Sequence, residues 1–198
     1  MRDKIIIVEG PQGVGKTTFT NYLREKMGAT DLYRLTGIKD KTITGLKKIE
    51  KKYDSLLKYI ENCEDVNLLF DRTFFTEEIY ARLGFKPYSF KEVYEKSLNK
   101  LDSLDFDIYL IVLYLKDTSE YERRIKRDKH QYQKFEVESS IKQQEEYLKM
   151  ADEVEEKVKN IKVVRFNYNG AHEDNKDRIN EELSFLFEEK KWQWMLKK

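Results

Sequence analysis

Hydrophobic positions along the chain follow two patterns. Short unbroken apolar runs at residues 4–8, 66–70, 106–115 and 161–166 are rich in β-branched side chains and stop abruptly, the first at Glu9-Gly10 and the second at Asp71. Runs of this length and composition predict strands buried on both faces. A weaker strand is predicted at 31–35. Between these runs, apolar residues recur at threes and fours. Phe19, Tyr22, Leu23 and Met27 align on a helix over 14–27, stopped by Gly28. Leu46, Ile49, Tyr53, Leu56, Leu57 and Ile60 mark a helix from residue 43. Phe75, Ile79 and Leu83 mark one after Asp71, and Phe90, Val93, Tyr94, Leu98, Leu101 and Leu104 another. A polar helix is predicted at 117–128 and a loop at 129–134. A long charged helix follows, with Val137, Ile141, Leu148, Ala151, Val154 and Val158 on its inner side. A last helix spans 174–190, with Ile179, Leu183, Leu186 and Phe187 aligned. Strands and helices in alternation predict an α/β fold, a five-stranded parallel sheet with helices on both faces. No repeat or Pro/Gly-rich linker divides the chain, so a single domain over 1–198 is expected.

Composition narrows the partners. Among 198 residues, 38 Lys and Arg face 37 Asp and Glu, for a net charge of +1. Charge is abundant at 38%, against roughly a quarter in ordinary soluble proteins, but mixed in sign. That argues against stable, sequence-independent nucleic-acid binding. The apolar runs are too short for a membrane span, and the N-terminus lacks a secretory pattern. The lone Cys63 excludes an internal disulfide and fits a cytoplasmic location. His130 and His172 lack neighbours at metal-ligand spacing and are expected at the surface, and the tail from Trp192 to Leu196 is expected to dock on the body.

The first strand runs into Gly10-Pro11-Gln12-Gly13-Val14-Gly15-Lys16-Thr17, which satisfies G-x-x-x-x-G-K-[ST] in full. Glycine lets the backbone approach a phosphate closely, and the loop amides and the following helix N-terminus face the anion. Lys16 adds a positive charge for the outer phosphates, and Thr17 a hydroxyl for Mg²⁺. The motif and its strand–loop–helix setting predict nucleotide binding. Asp71 ends a buried strand and so lies at the carboxyl edge of the sheet, where it can join the Mg²⁺ shell or orient an attacking hydroxyl.

Asn99-Lys100-Leu101-Asp102 mimics the base-reading N-K-x-D of GTPases but sits inside an amphipathic helix rather than after a strand. Phosphoryl transfer to a small acceptor needs cations around the transferred group. Arg72 stands beside Asp71, and Arg123, Arg124 and Arg127 crowd the end of the polar helix. The region at about 123–136 therefore reads as a lid over the phosphates.

From Val8 through Thr18 the sequence resembles the opening of thymidylate kinases and, more loosely, of deoxynucleoside kinases. Asp71-Arg72-Thr73 through Thr76 and Tyr80-Ala81 resembles the thymidylate kinase segment D-R-Y-x-x-S-x-x-A-Y-Q, and the stretch from Leu115 through Arg123-Arg124-Ile125 and Arg127 to Phe135-Glu136 resembles that family's lid. The resemblance implies a three-layer P-loop NTPase sandwich, ATP and Mg²⁺ as cofactors, a small-molecule nucleotide acceptor and a possible homodimer. It implies that Gly10, Gln12, Gly13, Val14, Gly15, Lys16, Thr17 and Thr18 hold the donor and that Thr17 and Asp71 meet the metal. Arg72 would grip the acceptor phosphate, Arg34 would serve the acceptor from the second strand, and Gln12, Thr76 and Tyr80 would place its sugar or base. Arg124 and Arg127 would close over the donor. Gln12 stands where thymidylate kinases usually carry an acidic residue, and their R-E-P stretch is replaced by Tyr33-Arg34-Leu35-Thr36-Gly37. The E-P and E-R-S pairs of deoxynucleoside kinases are also absent. The leading expectation is phosphorylation of a nucleoside monophosphate, dTMP or another deoxynucleotide. A deoxynucleoside kinase acting on a 5′-hydroxyl, or a non-catalytic NTP-binding protein on the same scaffold, stays open.

Overall fold

A computed structural model describes residues 2–37, 40, 42–127 and 136–187. The loop at 129–134 with His130, the end of the last helix and the tail lie outside these residues.

In chain order the elements are β1 (Lys4–Glu9), α1 (Lys16–Lys26), β2 (Thr30–Arg34), α2 (Ile43–Glu61), β3 (Asn67–Asp71), α3 (Phe74–Arg82), α4 (Lys91–Asp102), β4 (Asp107–Tyr114), α5 (Glu120–Arg127), α6 (Val137–Lys157), β5 (Ile161–Asn167), α7 (His172–Glu182) and α8 (Ser184–Phe187). The strands form one parallel sheet in the order β2-β3-β1-β4-β5.

The continuous apolar runs are explained by what each side of the sheet meets. Ile5 and Ile7 of β1, Leu68 and Phe70 of β3, and Ile108, Leu110 and Val112 of β4 join a core with α2, α3, α4 and α6. Their alternates, Ile6, Val8, Leu69, Ile111 and Leu113, join a second core with α1, α7 and α8. Both faces are dry, so neither parity of the strand can be polar. Each such side chain contributes roughly 1.5–3 kcal/mol by its burial.

The helix α6 turns differently from the face its apolar residues suggest. Ala151, Val154 and Val158 are buried, whereas Val137, Ile141 and Leu148 are only partly so. The buried face also carries Ser140, Gln143, Gln144 and Tyr147. Two polar amides are drawn inward because each meets backbone groups at the sheet edge. The last helix breaks at Leu183 into α7 and α8. Asn99-Lys100-Leu101-Asp102 lies within α4, as its apolar neighbours predict. Phe74, Phe75 and Phe90 are core residues. No helix among the described residues is long and apolar enough to cross a membrane.

Candidate active site

The carboxyl edge of the sheet gathers the chemistry. β1 leads through residues 10–15 into α1, whose N-terminus opens on Gly15 at φ +101°. A Cβ on Gly15 would lie 2.7 Å from the Tyr168 ring, and one on Gly10, at φ +142°, 2.6 Å from the Leu113 carbonyl oxygen. Both positions need glycine for backbone angle and for space. Val14 is fully buried beneath the loop. Lys16 is 5% exposed, and its Nζ donates to the Gly10 and Pro11 carbonyls, each at 2.7 Å. The ammonium is thus folded onto the loop that would carry the phosphates.

Asp71 pairs with Val8 of β1 on one side and with Arg34 of β2 on the other. Thr17 Oγ1 donates to Asp71 Oδ2 at 2.9 Å, while Oδ1 is buried without a hydrogen-bond partner among the described residues. A buried carboxylate oxygen with an unmet lone pair, next to a threonine hydroxyl at the start of α1, suits the hard oxygen-ligand chemistry of Mg²⁺. Arg34 Nε stands 3.9 Å from Asp71 Oδ2, and its guanidinium also meets Asn21.

Arg72 adopts φ +72°, a left-handed angle rare outside glycine, and its amide donates to the Val8 carbonyl at 3.1 Å. Its guanidinium has no hydrogen bond or ion pair among the described residues. Strain of this kind costs about 1–3 kcal/mol and gathers at functional sites.

Glu9 ties the loop to α3. Its carboxylate accepts from the Thr73 amide at 2.6 Å and hydroxyl at 3.1 Å, and from Thr76 Oγ1 at 2.6 Å. Thr76 also meets Tyr147 OH of α6 at 2.9 Å. One turn on, Tyr80 OH accepts from Gln12 Nε2 at 2.7 Å. The Gln12 amide donates to Gln143 Oε1 at 3.2 Å. Gln144 takes the Leu115 amide at 2.7 Å and gives its Nε2 to the Leu115 carbonyl at 3.1 Å.

Burial pushes the Glu9 carboxyl up to about 7, against the pull of its threonine hydrogen bonds. Burial, with the neighbouring Arg72 charge, pulls Lys16 down to about 7. Because the folded Glu9 holds its proton more tightly than the unfolded chain does, its contribution is full below the ordinary carboxyl value of 4.5 and is lost as pH rises to about 7. Lys16 acts oppositely: its contribution is full above 10.5 and is lost as pH falls to about 7. These two groups together predict a stability minimum near neutral pH. Thermal melts across pH 5–10 on wild type and Glu9→Gln measure it, and the acid-side decline should flatten in the variant.

Lys16, Thr17, Asp71, Arg72, Arg34, Gln12, Thr76 and Tyr80 are brought together at this edge. Gly13 lies in the loop, and Thr18 in the first turn of α1. Arg124 is held at the loop by backbone oxygens. Its guanidinium donates to the carbonyls of Val14 (2.6 Å), Tyr168 (2.6 Å) and Gly170 (3.1 Å), and pairs with Glu120 at 3.1 Å. It clips the phosphate loop to the segment after β5. Arg124→Ala should lower unfolding free energy by about 2–3 kcal/mol in denaturant titrations, because several charge-assisted bonds are lost together. Lysine should restore little, since one ammonium cannot span that fork. Arg127 is the last residue of α5, and residues 128–135 of the lid expected at about 123–136 lie outside the described residues. Sequence reasoning missed Gln143 and Gln144, although two adjacent amides on a core-facing helix were a readable signal. It also missed the Glu9 hub, which only long-range contact reveals. His172 bonds Tyr168 OH through Nδ1 at 2.6 Å.

No protein-family model matches the chain, and no curated protein matches it in sequence. Solved structures do match. Deoxyadenosine kinase from M. mycoides, with products dCMP and a flexible dCDP bound, superposes with a TM-score of 0.62 at 19% identity, covering 91% of this chain and 99% of that one. The same enzyme with bound dATP gives 0.62 at 18% identity, covering 91% of this chain and 98% of that one. With bound dCTP it gives 0.56 at 18% identity, covering 91% and 99%. The sheet order, the loop and these likenesses together make the architecture of this chain the α/β fold of P-loop NTPases, in the form that a deoxynucleoside kinase also carries.

Proposed function

We propose that the chain is an ATP-dependent kinase of the deoxynucleoside type, transferring a phosphoryl group to an acceptor 5′-hydroxyl. The observation that carries the acceptor class is the likeness to deoxyadenosine kinase over 91% of the chain. The loop from Gly10 to Thr17 supports the donor assignment.

In this reading Lys16 exchanges two loop carbonyls for phosphate oxygens, and the α1 N-terminus faces the same anion. Thr17 and Asp71 would hold Mg²⁺, which neutralises charge on the donor phosphates when bound. Asp71 Oδ1, which has no hydrogen-bond partner among the described residues, would be the oxygen offered to that ion. The transition state of such transfers is loose, so the hydroxyl proton leaves late and demands little of a base. Arg72, whose guanidinium has no hydrogen bond or ion pair among the described residues, supplies a cation for the charge on the moving group. Gln12 and Tyr80, already bonded to each other, flank the acceptor with Thr76 behind them.

A specific observation favours a second reading, in which the acceptor is a nucleoside monophosphate: Arg34 and Arg72 bring two guanidinium groups to the acceptor side of Asp71. Coupled ADP release with ATP and Mg²⁺, run against nucleosides and nucleoside monophosphates with product mass confirmed, tests both. Turnover of deoxynucleosides is the expected result. Turnover confined to monophosphates moves the assignment to the second reading. Silence with ATP binding intact refutes the kinase proposal and leaves a nucleotide-binding protein.

A further inference from the structure

The helix α3 has two working faces. Thr76 and Tyr80 look toward the phosphate loop, while Glu78 and Arg82, four residues apart, look the other way into a cleft of about 810 Å³ between α3, α4 and α6. That volume falls in the range of small-molecule sites.

The cleft is polar at its base and short of partners. Arg82 donates through Nε to Glu78 Oε1 at 2.8 Å and through Nη2 to Glu153 Oε2 at 2.8 Å, and it lies 5.8 Å from the centre of the Tyr94 ring. This fork leaves Glu78 Oε2 buried without a hydrogen-bond partner among the described residues, and the Tyr94 hydroxyl shares that condition. Glu78 is 3% exposed and Tyr94 is 1% exposed. Each unmet buried polar atom is destabilising. Two at the base of one cleft are not explained by stability. At the rim stand Lys91, the first residue of α4, with no ion pair among the described residues, and Lys157, whose nearest carboxylate, Glu95, is 3.8 Å away.

We propose that this cleft is a second nucleotide site, separate from the phosphate loop. Its chemistry fits the two ends of such a ligand. A planar base with N–H donors and ring acceptors would lie at the cleft base, donating to Glu78 and accepting from the Tyr94 hydroxyl. Its phosphate would meet Lys91, Lys157 and the N-terminus of α4. A metal ion suits the cleft poorly, because Arg82 already occupies the other Glu78 oxygen and repels a second cation. The inference does not rest on the kinase reading, since nothing in it requires turnover.

The test is calorimetric titration of the full-length protein with the deoxynucleoside mono- and triphosphates, on wild type and on Lys16→Ala, which disables the phosphate loop. The expected result is one saturable site surviving in Lys16→Ala. Tyr94→Phe and Lys91→Glu, each added to Lys16→Ala, should weaken that site about tenfold or more. Alone, each should leave ATP binding at the phosphate loop unchanged. Tyr94→Phe removes only an unpartnered hydroxyl, so its melting temperature should equal or exceed that of the parent. Absence of saturable binding to Lys16→Ala overturns the proposal, as does binding that neither cleft variant alters.

Discussion

A Lys16→Ala chain is expected to remain folded and to lose turnover by about 10²–10³-fold or more. The fold should tolerate the change because the ammonium is a buried cation whose contacts are two loop carbonyls rather than a carboxylate. Burial has already pulled its proton affinity down to about 7, so the native state holds this charge reluctantly. Truncation relieves that desolvation and leaves the Gly10 and Pro11 carbonyls to water. Catalysis has no substitute for it. Among the basic residues at this edge, Arg124 is bound to backbone carbonyls and Arg34 leans on Asp71, which leaves Arg72 as the other cation near the loop. Steady-state kinetics beside a thermal melt checks both halves. Wild-type turnover in a folded variant would refute the loop as the donor site, and unfolding would show that Lys16 serves the structure instead. Arginine is not expected to rescue, because its planar fork cannot fit where a single Nζ sits between two carbonyls.

The strands and the loop were legible in the sequence because each is written in consecutive residues. Ile5 through Val8 must be apolar at every position when both sheet faces are covered, and Gly10 through Thr17 form one uninterrupted motif. What escaped was chemistry assembled across the chain. Glu9 meets Thr73 and Thr76, 64 and 67 residues away, and Gln12 meets Gln143, 131 residues away. The face of α6 was misjudged for the same reason. Gln143 and Gln144 point inward because the phosphate loop and the end of β4 offer backbone groups to bond, and no count of apolar residues reveals that. Arg124 shows the limit from the other side: its position beside Arg127 suggested phosphates, yet three carbonyl oxygens hold it.

Arg72→Ala is expected to lower acceptor turnover by about 10²–10³-fold while ATP affinity stays within about twofold of wild type. The guanidinium makes no contact that the fold requires, and its backbone sits at φ +72°. A residue held at such an angle, beside Lys16 and with no ion pair among the described residues, is placed for something that arrives with negative charge. Removing it also removes a repulsion on Lys16, whose ammonium should then regain proton affinity, so ATP binding has no reason to weaken. The kinetic parameters divide the two acceptor readings. If Arg72 acts on charge that develops only during transfer to a hydroxyl, kcat falls and acceptor KM holds. If it grips a phosphate already present on the acceptor, KM rises as well, because ground-state binding is lost with it. Lysine should rescue neither case well, since a point charge cannot reproduce bidentate contact with phosphoryl oxygens. Equal losses in ATP affinity and acceptor use would move Arg72 to the donor side. Asp71 would then be left with Arg34 as the cation serving the acceptor.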